Sequence, residues 1–152
     1  MPMISSTAEF HAVIGAAVTA AFQEFMMKVY KQLQLRVQSD IYSAYSPTDY
    51  QRTEGLLNSW QKRVGMLDAE LWFDPSKLAL SPDNWQHSSK YDGGDMRSQI
   101  LDILEAGYNA YNMNTGKPIP SRPMWQNFMR DVDANFDKWM RSALRHQGLP
   151  VI

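Results

Sequence analysis

The feature that most constrains this chain is a stripe of apolar residues that recurs with helical spacing from Phe10 to Val37. Apolar residues that return every three to four positions line one face of an amphipathic helix. Just before the stripe, Ser6 and Glu9 have the spacing of a capping box, which marks a helix start. The sequence therefore predicts one long N-terminal helix, which we place at residues 6–42.

A helix of this length has a consequence for packing. At a rise of about 1.5 Å per residue it reaches roughly 50 Å, which is more than a compact domain of this size can bury along its whole length. Part of the stripe is therefore expected to pack on another chain, with a kink near Gly15 as the alternative. We take Phe22 and Met26 as the candidate residues of that subunit interface.

Composition indicates a single domain over residues 1–152, because 44% hydrophobic residues are enough for one core. Fifteen basic and sixteen acidic residues leave a net charge of -1. Nucleic acid is therefore not expected as the main partner, since phosphate binding needs clustered positive charge. Cysteine is absent, which excludes disulfides and thiolate metal sites. No run approaches the ~18 apolar residues of a membrane span, so we expect a soluble chain without a membrane partner.

The segment after the long helix predicts a small antiparallel sheet. Pro47 ends the helix, because the residue before a proline disfavours helical geometry. A loop or a short helical turn then leads past Trp60 into two strands joined by a tight turn, which we place within residues 63–74. In the second strand Leu71 and Phe73 alternate with polar or outward positions, as expected for a strand with one buried face.

A polar stretch follows at residues 75–97, with two prolines and two glycines. Loops of this length are usually functional or disordered. We predict that it is mobile in the free subunit and ordered in an assembly, where Trp85 docks on a neighbour. The alternative is that Trp85 folds back on its own domain. The next segment returns to helix or strand character and ends at Gly107.

The clearest pattern lies at the end of the chain, where a helix is predicted at residues 121–147. Pro123 suits its first turn, and Gly148 suits its C-terminal cap. The apolar residues expected on its buried face are Trp125, Phe128, Val132, Phe136 and Trp139. The predicted fold class is therefore α+β, with a long N-terminal helix, a small antiparallel sheet and a long C-terminal helix packed on it.

No pattern of catalytic or metal-ligating residues stands out. His11, His87 and His146 are far apart and lack ligand-like spacing. Asp92 and Asp95 flank two glycines, but the segment lacks the ligand series of a calcium loop and the lysine of a phosphate loop. A flexible turn explains it better than a hydrolase site does. We predict no enzyme activity, no cofactor and no metal.

Three short motifs follow one another in a recognisable order. They comprise Ser46, Pro47, Tyr50, Arg52, Thr53 and Leu56, then Leu104, Glu105 and Gly107, then Arg122 and Pro123 with Met124 and Trp125 beside them. In their order and spacing, from about Ala12 to Leu149, the chain resembles the tail-completion, or neck, proteins of long-tailed bacteriophages. It departs from that family in its longer loop at residues 75–97 and in an aromatic residue placed one position later.

The resemblance implies a virion protein that forms a six-fold or twelve-fold ring with copies of itself at the head–tail junction. Its neighbours would be a head-closure or connector protein and the tail-tube protein, and DNA would cross the ring without sequence-specific binding. A neck position and a tail-terminator position both stay open. The resemblance also implies that Tyr50 and Arg52 pack near Arg122 and Trp125. The alternative is a non-virion helical adaptor that binds a partner through the N-terminal helix.

Overall fold

The computed structural model describes residues 6–44, 55–66, 68–78, 100–107 and 120–151. Within them the chain has the predicted α+β architecture of two long helices and a small sheet. The elements in chain order are α1 (Thr7–Arg36), a π-helical continuation (Val37–Tyr42), α2 (Gly55–Asn58), β1 (Trp60–Val64), β2 (Ala69–Phe73), a 3-10 turn (Pro75–Lys77), α3 (Ile100–Ala106) and α4 (Met124–His146).

The first helix begins where the capping pattern predicts. The backbone N–H of Glu9 donates to Oγ of Ser6 at 3.1 Å, and the backbone N–H of Phe10 donates to the Ser6 carbonyl at 3.0 Å. The side-chain bond satisfies one of the amides that a helix start leaves unpaired. α1 continues through Gly15 without a break, and the change from α-helical to π-helical bonding comes later, at Val37–Tyr42.

Burial along this helix is confined to its second part. The residues at most 7% exposed are Ala21, Phe25, Met26, Val29, Leu33, Val37 and Ile41. Phe10 and Val13, by contrast, are 47% and 49% exposed. The prediction that Met26 lies at a subunit interface is therefore corrected: helical spacing puts it on the same side as the buried Val29, and it is 4% exposed. Phe22, the other candidate, is half-buried.

α1 is more apolar than predicted from the sequence, in which no run of apolar residues approached the length of a membrane span. The continuous helix Thr7–Tyr42 is long and apolar enough to cross a membrane, by length and composition only, with a mean hydropathy of 1.3 in an 18-residue window. It is the one such helix among the residues that the structure describes. The expectation that no segment approaches a membrane span is corrected to that extent, because alanines with few charges between them raise the mean. Core helices of globular proteins reach the same hydropathy.

The sheet is a two-stranded antiparallel hairpin of β1 and β2, as predicted, with β1 starting at Trp60. Its turn is closed by the backbone N–H of Gly65, which donates to the Asp68 carbonyl at 2.8 Å. A Cβ at Gly65 would lie 2.0 Å from Oδ1 of Asp68, so a larger residue there would displace the exposed Asp68 side chain. Leu71 and Phe73 are half-buried while Trp72 between them is 44% exposed, which confirms the predicted alternation.

The described chain separates into two compact units. Unit 1 takes Met1–Leu33, Lys62–Trp72 and Arg130–Ile152, and unit 2 takes Gln34–Gln61 and Phe73–Met129. The single domain inferred from chain length and composition stays a prediction.

In unit 1, α1 runs antiparallel to α4. The pairs that join them are Glu24 with His146 (3.0 Å), Lys28 with Ser142 (3.3 Å), Gln32 with Asp131 (2.6 Å) and the edge-on rings of Phe25 and Phe136 (centroids 5.1 Å apart). The hydrogen bond from Lys28, and then the one with His146, hold the pKa of Glu24 below its usual value. Polar side chains thus fix the register of two helices whose apolar residues pack beside them.

The ends of α4 lie where they were predicted, but one of the residues predicted on its buried face is exposed. It starts at Met124, directly after Pro123, and ends before Gly148, whose φ of 74° is the left-handed cap that favours glycine. Phe128 is 2% exposed, as expected. Phe136 is 49% exposed, so its predicted place in a buried face is wrong. It lies edge-on to Phe25, and about half of its surface stays exposed.

Candidate functional site

Two motifs that lie far apart in the sequence meet in unit 2. The backbone N–H of Arg122 donates to the Leu104 carbonyl at 2.6 Å. The hydroxyl of Ser121 donates to the carbonyl of Glu105, and the backbone N–H of Trp125 donates to Oε1 of the Glu105 carboxylate. We call this cluster of five residues the motif junction. It joins the end of α3 to the start of α4 through three hydrogen bonds.

Glu105 acts as the cap of a helix to which it does not belong. Trp125 is the second residue of α4, and its N–H is one of the donors that a helix start leaves unpaired. A carboxylate at that position also opposes the positive end of the helix dipole. Oε2 of Glu105 is buried and has no hydrogen-bond partner among the described residues. The local sequence around Met124 carries no acidic cap, so the helix takes one from α3.

Four aromatic rings extend the junction toward the sheet. Trp125 stacks on Trp60 with centroids 5.3 Å apart and planes inclined by 5°. Trp60 in turn contacts Phe73 at 5.2 Å, and Trp125 contacts Phe128 at 5.2 Å. Offset and tilted pairs at these distances are worth about 0.5–1.5 kcal/mol beyond burial. Because Trp60 opens β1 and Phe73 closes β2, the stack attaches α4 to the open end of the hairpin.

The π-helical continuation of α1 supplies a second polar contact to α4 within unit 2. Nδ2 of Asn127 donates to Oδ2 of Asp40 at 3.0 Å. Oδ1 of the same carboxylate lies 3.5 Å from a guanidinium nitrogen of Arg36 and accepts from Ser39 at 2.5 Å. A π-helical turn carries one extra residue and changes the direction in which its side chains point. The position of Asp40 opposite Asn127 depends on that turn.

The structure brings together some of the residues predicted as functional. Arg122 and Trp125 lie beside Leu104 and Glu105, so the second and third motifs form one contact. Tyr50, Arg52 and Trp85 lie outside the described residues, and the proposed packing of Tyr50 and Arg52 near Arg122 stays a prediction.

Sequence reasoning missed Trp60 as the center of the aromatic stack, although a signal was present. Trp60 is 4% exposed, and it starts the strand that precedes the turn. Phe73, already predicted to face inward, ends the partner strand of that hairpin. Residues at the open end of a short hairpin lie side by side, so this pairing could have been deduced. The stacking of Trp60 on Trp125 depends on tertiary structure and could not.

The described residues contain no group of three or more His, Asp or Glu side chains that could hold a metal ion. An open concavity of about 530 Å³ lies on the last turns of α4 and is lined by Lys138, Arg141, Ser142, Arg145 and His146. The motif junction itself offers hydrogen bonds and aromatic packing. It is suited to hold α3, α4 and the hairpin together.

The chain is a small α+β protein. Aromatic contacts join its C-terminal helix to the hairpin and to the N-terminal helix, and a side-chain cap joins it to α3. The model of the YomN family matches residues 7–146, and the chain belongs to that family. YomN is a phage-associated family of Bacillus prophage, so the chain is a phage-related protein. No curated protein and no solved structure matches the chain.

Proposed function

We propose that this chain is a structural subunit of the phage particle at the head–tail junction, as a neck or tail-completion protein or as a tail-terminator. In that role it assembles with copies of itself into a ring. The ring lies between a head-closure or connector protein and the tail-tube protein, and DNA crosses it. Membership in a phage-associated family supports the setting, and the following observations support the structural role.

The observation that carries the proposal is the motif junction. The resemblance to neck proteins depends on the order of three weak motifs. Two hydrogen bonds join the second motif, at Leu104 and Glu105, to the third, at Arg122 to Trp125, and the adjacent Ser121 donates one more. Motifs that matched by chance would have no reason to meet in the fold. Their contact makes them one structural unit, which is what a shared architecture would preserve.

The uncovered start of α1 supplies a surface for assembly. Glu24 contacts His146, the last residue of α4, so residues 7–23 extend past the end of that helix by about 25 Å. Met66 of the hairpin turn reaches this part of α1, where its carbonyl accepts from the Thr19 hydroxyl at 3.5 Å. Phe10 and Val13 are about half exposed. A ring needs such an apolar patch on one side of each subunit, facing a different patch on the next.

The experiment that tests this proposal measures particle size and phage morphology. Analytical ultracentrifugation of the purified chain should detect a ring-sized particle, or a monomer that forms rings when the head-closure protein is added. Phage that lack the gene should accumulate DNA-filled heads and separate tails. Complete, infectious particles in the absence of the chain would contradict the proposal.

Matched variants locate the assembly surface. Phe10→Asp with Val13→Asp places charges on the uncovered part of α1, and we expect it to abolish assembly while the circular dichroism spectrum of the monomer stays native. Gln23→Asp adds a charge at another exposed position of the same helix and should assemble normally. A discrete dimer, or binding to one non-virion partner that the same double variant abolishes, would instead favour the helical adaptor.

A further inference from the structure

The last two and a half turns of α4, roughly, carry a segregated positive charge. Residues 138–146 include Lys138, Arg141, Arg145 and His146 and contain no acidic residue, although the whole chain has a net charge of -1. Steps of three and four positions place Lys138, Arg141 and Arg145 on one side of the helix. The buried Ala143 lies on another side. We call these three cations the cationic face.

The cationic face borders an open concavity of about 530 Å³, to which Ser142 and His146 also contribute. One of its charges is partly neutralised: Nε of Arg141 lies 2.7 and 2.8 Å from the carboxylate oxygens of Asp137. The pair is exposed, with 40% of the Arg141 side chain and 77% of the Asp137 side chain accessible. Such surface pairs are weak, so a stronger anion can compete for the guanidinium.

We propose that the cationic face binds the phosphate backbone of duplex DNA, without reading its sequence. The inference rests on the proposed function, in which DNA crosses the ring. Lys138 and Arg145 are about 10 Å apart along the helix axis, close to the rise of three phosphates along one strand. Guanidinium groups hold phosphate oxygens through two parallel hydrogen bonds, and an ammonium group binds them as a point charge.

The arrangement of α4 favours DNA over an anionic membrane surface. Helices that lie in a membrane interface present large apolar residues next to their cations, so that those residues enter the lipid. Here Ala143 is fully buried, and the half-buried Trp139 lies on its side of the helix. Ser142 lines the concavity, but its hydroxyl accepts from Nζ of Lys28 at 3.3 Å. The exposed side of these turns therefore offers mainly the charges of Lys138, Arg141 and Arg145.

The test is fluorescence anisotropy of a labelled duplex of about 20 base pairs, titrated with the full chain at several salt concentrations. Three phosphate contacts predict a slope of about −2.7 in log K against log salt, or an affinity loss of ~40-fold between about 50 and 200 mM. Lys138→Ala with Arg145→Ala should reduce the slope to about −0.9. The matched control is Lys31→Ala with Lys77→Ala, two exposed lysines on other elements, and it should keep the parent slope.

Asp137→Asn should raise the affinity for DNA, whereas the alanine variants of the cationic face should lower it. It removes the carboxylate that competes for Arg141, so DNA should bind several-fold more tightly at low salt.

Three outcomes would overturn the inference: no binding at about 50 mM salt, equal losses in the test and control variants, or binding to phosphatidylglycerol vesicles but not to duplex. None of these measurements requires assembly. Rings without DNA affinity would remove only this inference, whereas DNA affinity without a role in the particle would remove the proposed function.

Discussion

The two long helices both begin with apolar residues at helical spacing, but their starts lie in different surroundings. α1 starts with a local cap, in which Ser6 accepts from the N–H of Glu9 three residues later. α4 starts directly after Pro123 and is capped by Glu105, a residue of another helix. Both starts carry aromatic and aliphatic residues at helical spacing. Among the described residues, the second start takes its cap from another element, whereas the first takes its cap from its own chain neighbours.

Burial follows that connection. Phe10 in the first turn of α1 is 47% exposed, whereas Met124 and Phe128 at the start of α4 are 1% and 2% exposed. Helical periodicity is present in both places, and it determines which residues share a face. Which face is covered depends on the partner that the rest of the chain supplies, here α3 and the Trp60 stack. An amphipathic pattern therefore predicts a helix more safely than it predicts a core.

The largest expected effect comes from removing one aromatic ring at each helix start, which compares the buried start of α4 with the exposed start of α1. Phe128→Ala should cost ~3–5 kcal/mol, because it leaves a cavity beside Trp125 in a well-packed interior. Phe10→Ala should change the free energy of unfolding of the monomer by less than about 0.5 kcal/mol, as exposed positions do. Urea denaturation of both variants measures the difference. Equal losses would show that the start of α1 is packed as tightly as the start of α4.

Much of the fold could be predicted because its signals are local. The Ser6 cap, the glycines at 107 and 148 and the alternation of Leu71 with Phe73 each act within a few residues, and each appears in the structure where the sequence placed it. The predicted places of Met26 and Phe136 failed for the opposite reason. Each required knowledge of which helix lies against which face, and that depends on residues more than a hundred positions away.

The motif junction was not predicted as a contact. The resemblance placed Tyr50 and Arg52 near Arg122 and Trp125, and it gave Leu104 and Glu105 only as a separate motif. The sequence contained no sign that the Glu105 carboxylate would cap α4, because a cap supplied by a distant helix leaves no fixed spacing. The Trp60 stack and the contact of Asp40 with Asn127 are long-range in the same sense.

A smaller effect is expected from removing the distant cap. Glu105→Ala deletes the acceptor for the Trp125 N–H and should lower the free energy of unfolding by about 1–2 kcal/mol. Glu105→Gln keeps an acceptor but loses the charge that opposes the helix dipole, so it should cost less, about 0.5–1 kcal/mol. Asp102→Ala, an exposed acid on α3, is the matched control and should be near neutral. If all three variants behaved alike, the carboxylate would not be acting as a cap.

The smallest effect belongs to the local cap of α1. Ser6→Ala removes the acceptor for the Glu9 N–H, and caps of this kind contribute about 0.5–2 kcal/mol to helix stability. Because the first turns of α1 are exposed, they can open without the core, so the loss should appear as local fraying and barely change global unfolding. Hydrogen exchange should accelerate at Glu9 and Phe10 while protection at the buried Val29 and Leu33 stays at the parent value. Ser6→Asp, which restores an acceptor and adds a charge suited to the helix dipole, should return protection to the first turn. A global loss of protection in Ser6→Ala would mean that the start of α1 unfolds with the core, and the contrast between the two helix starts would then be one of exposure alone.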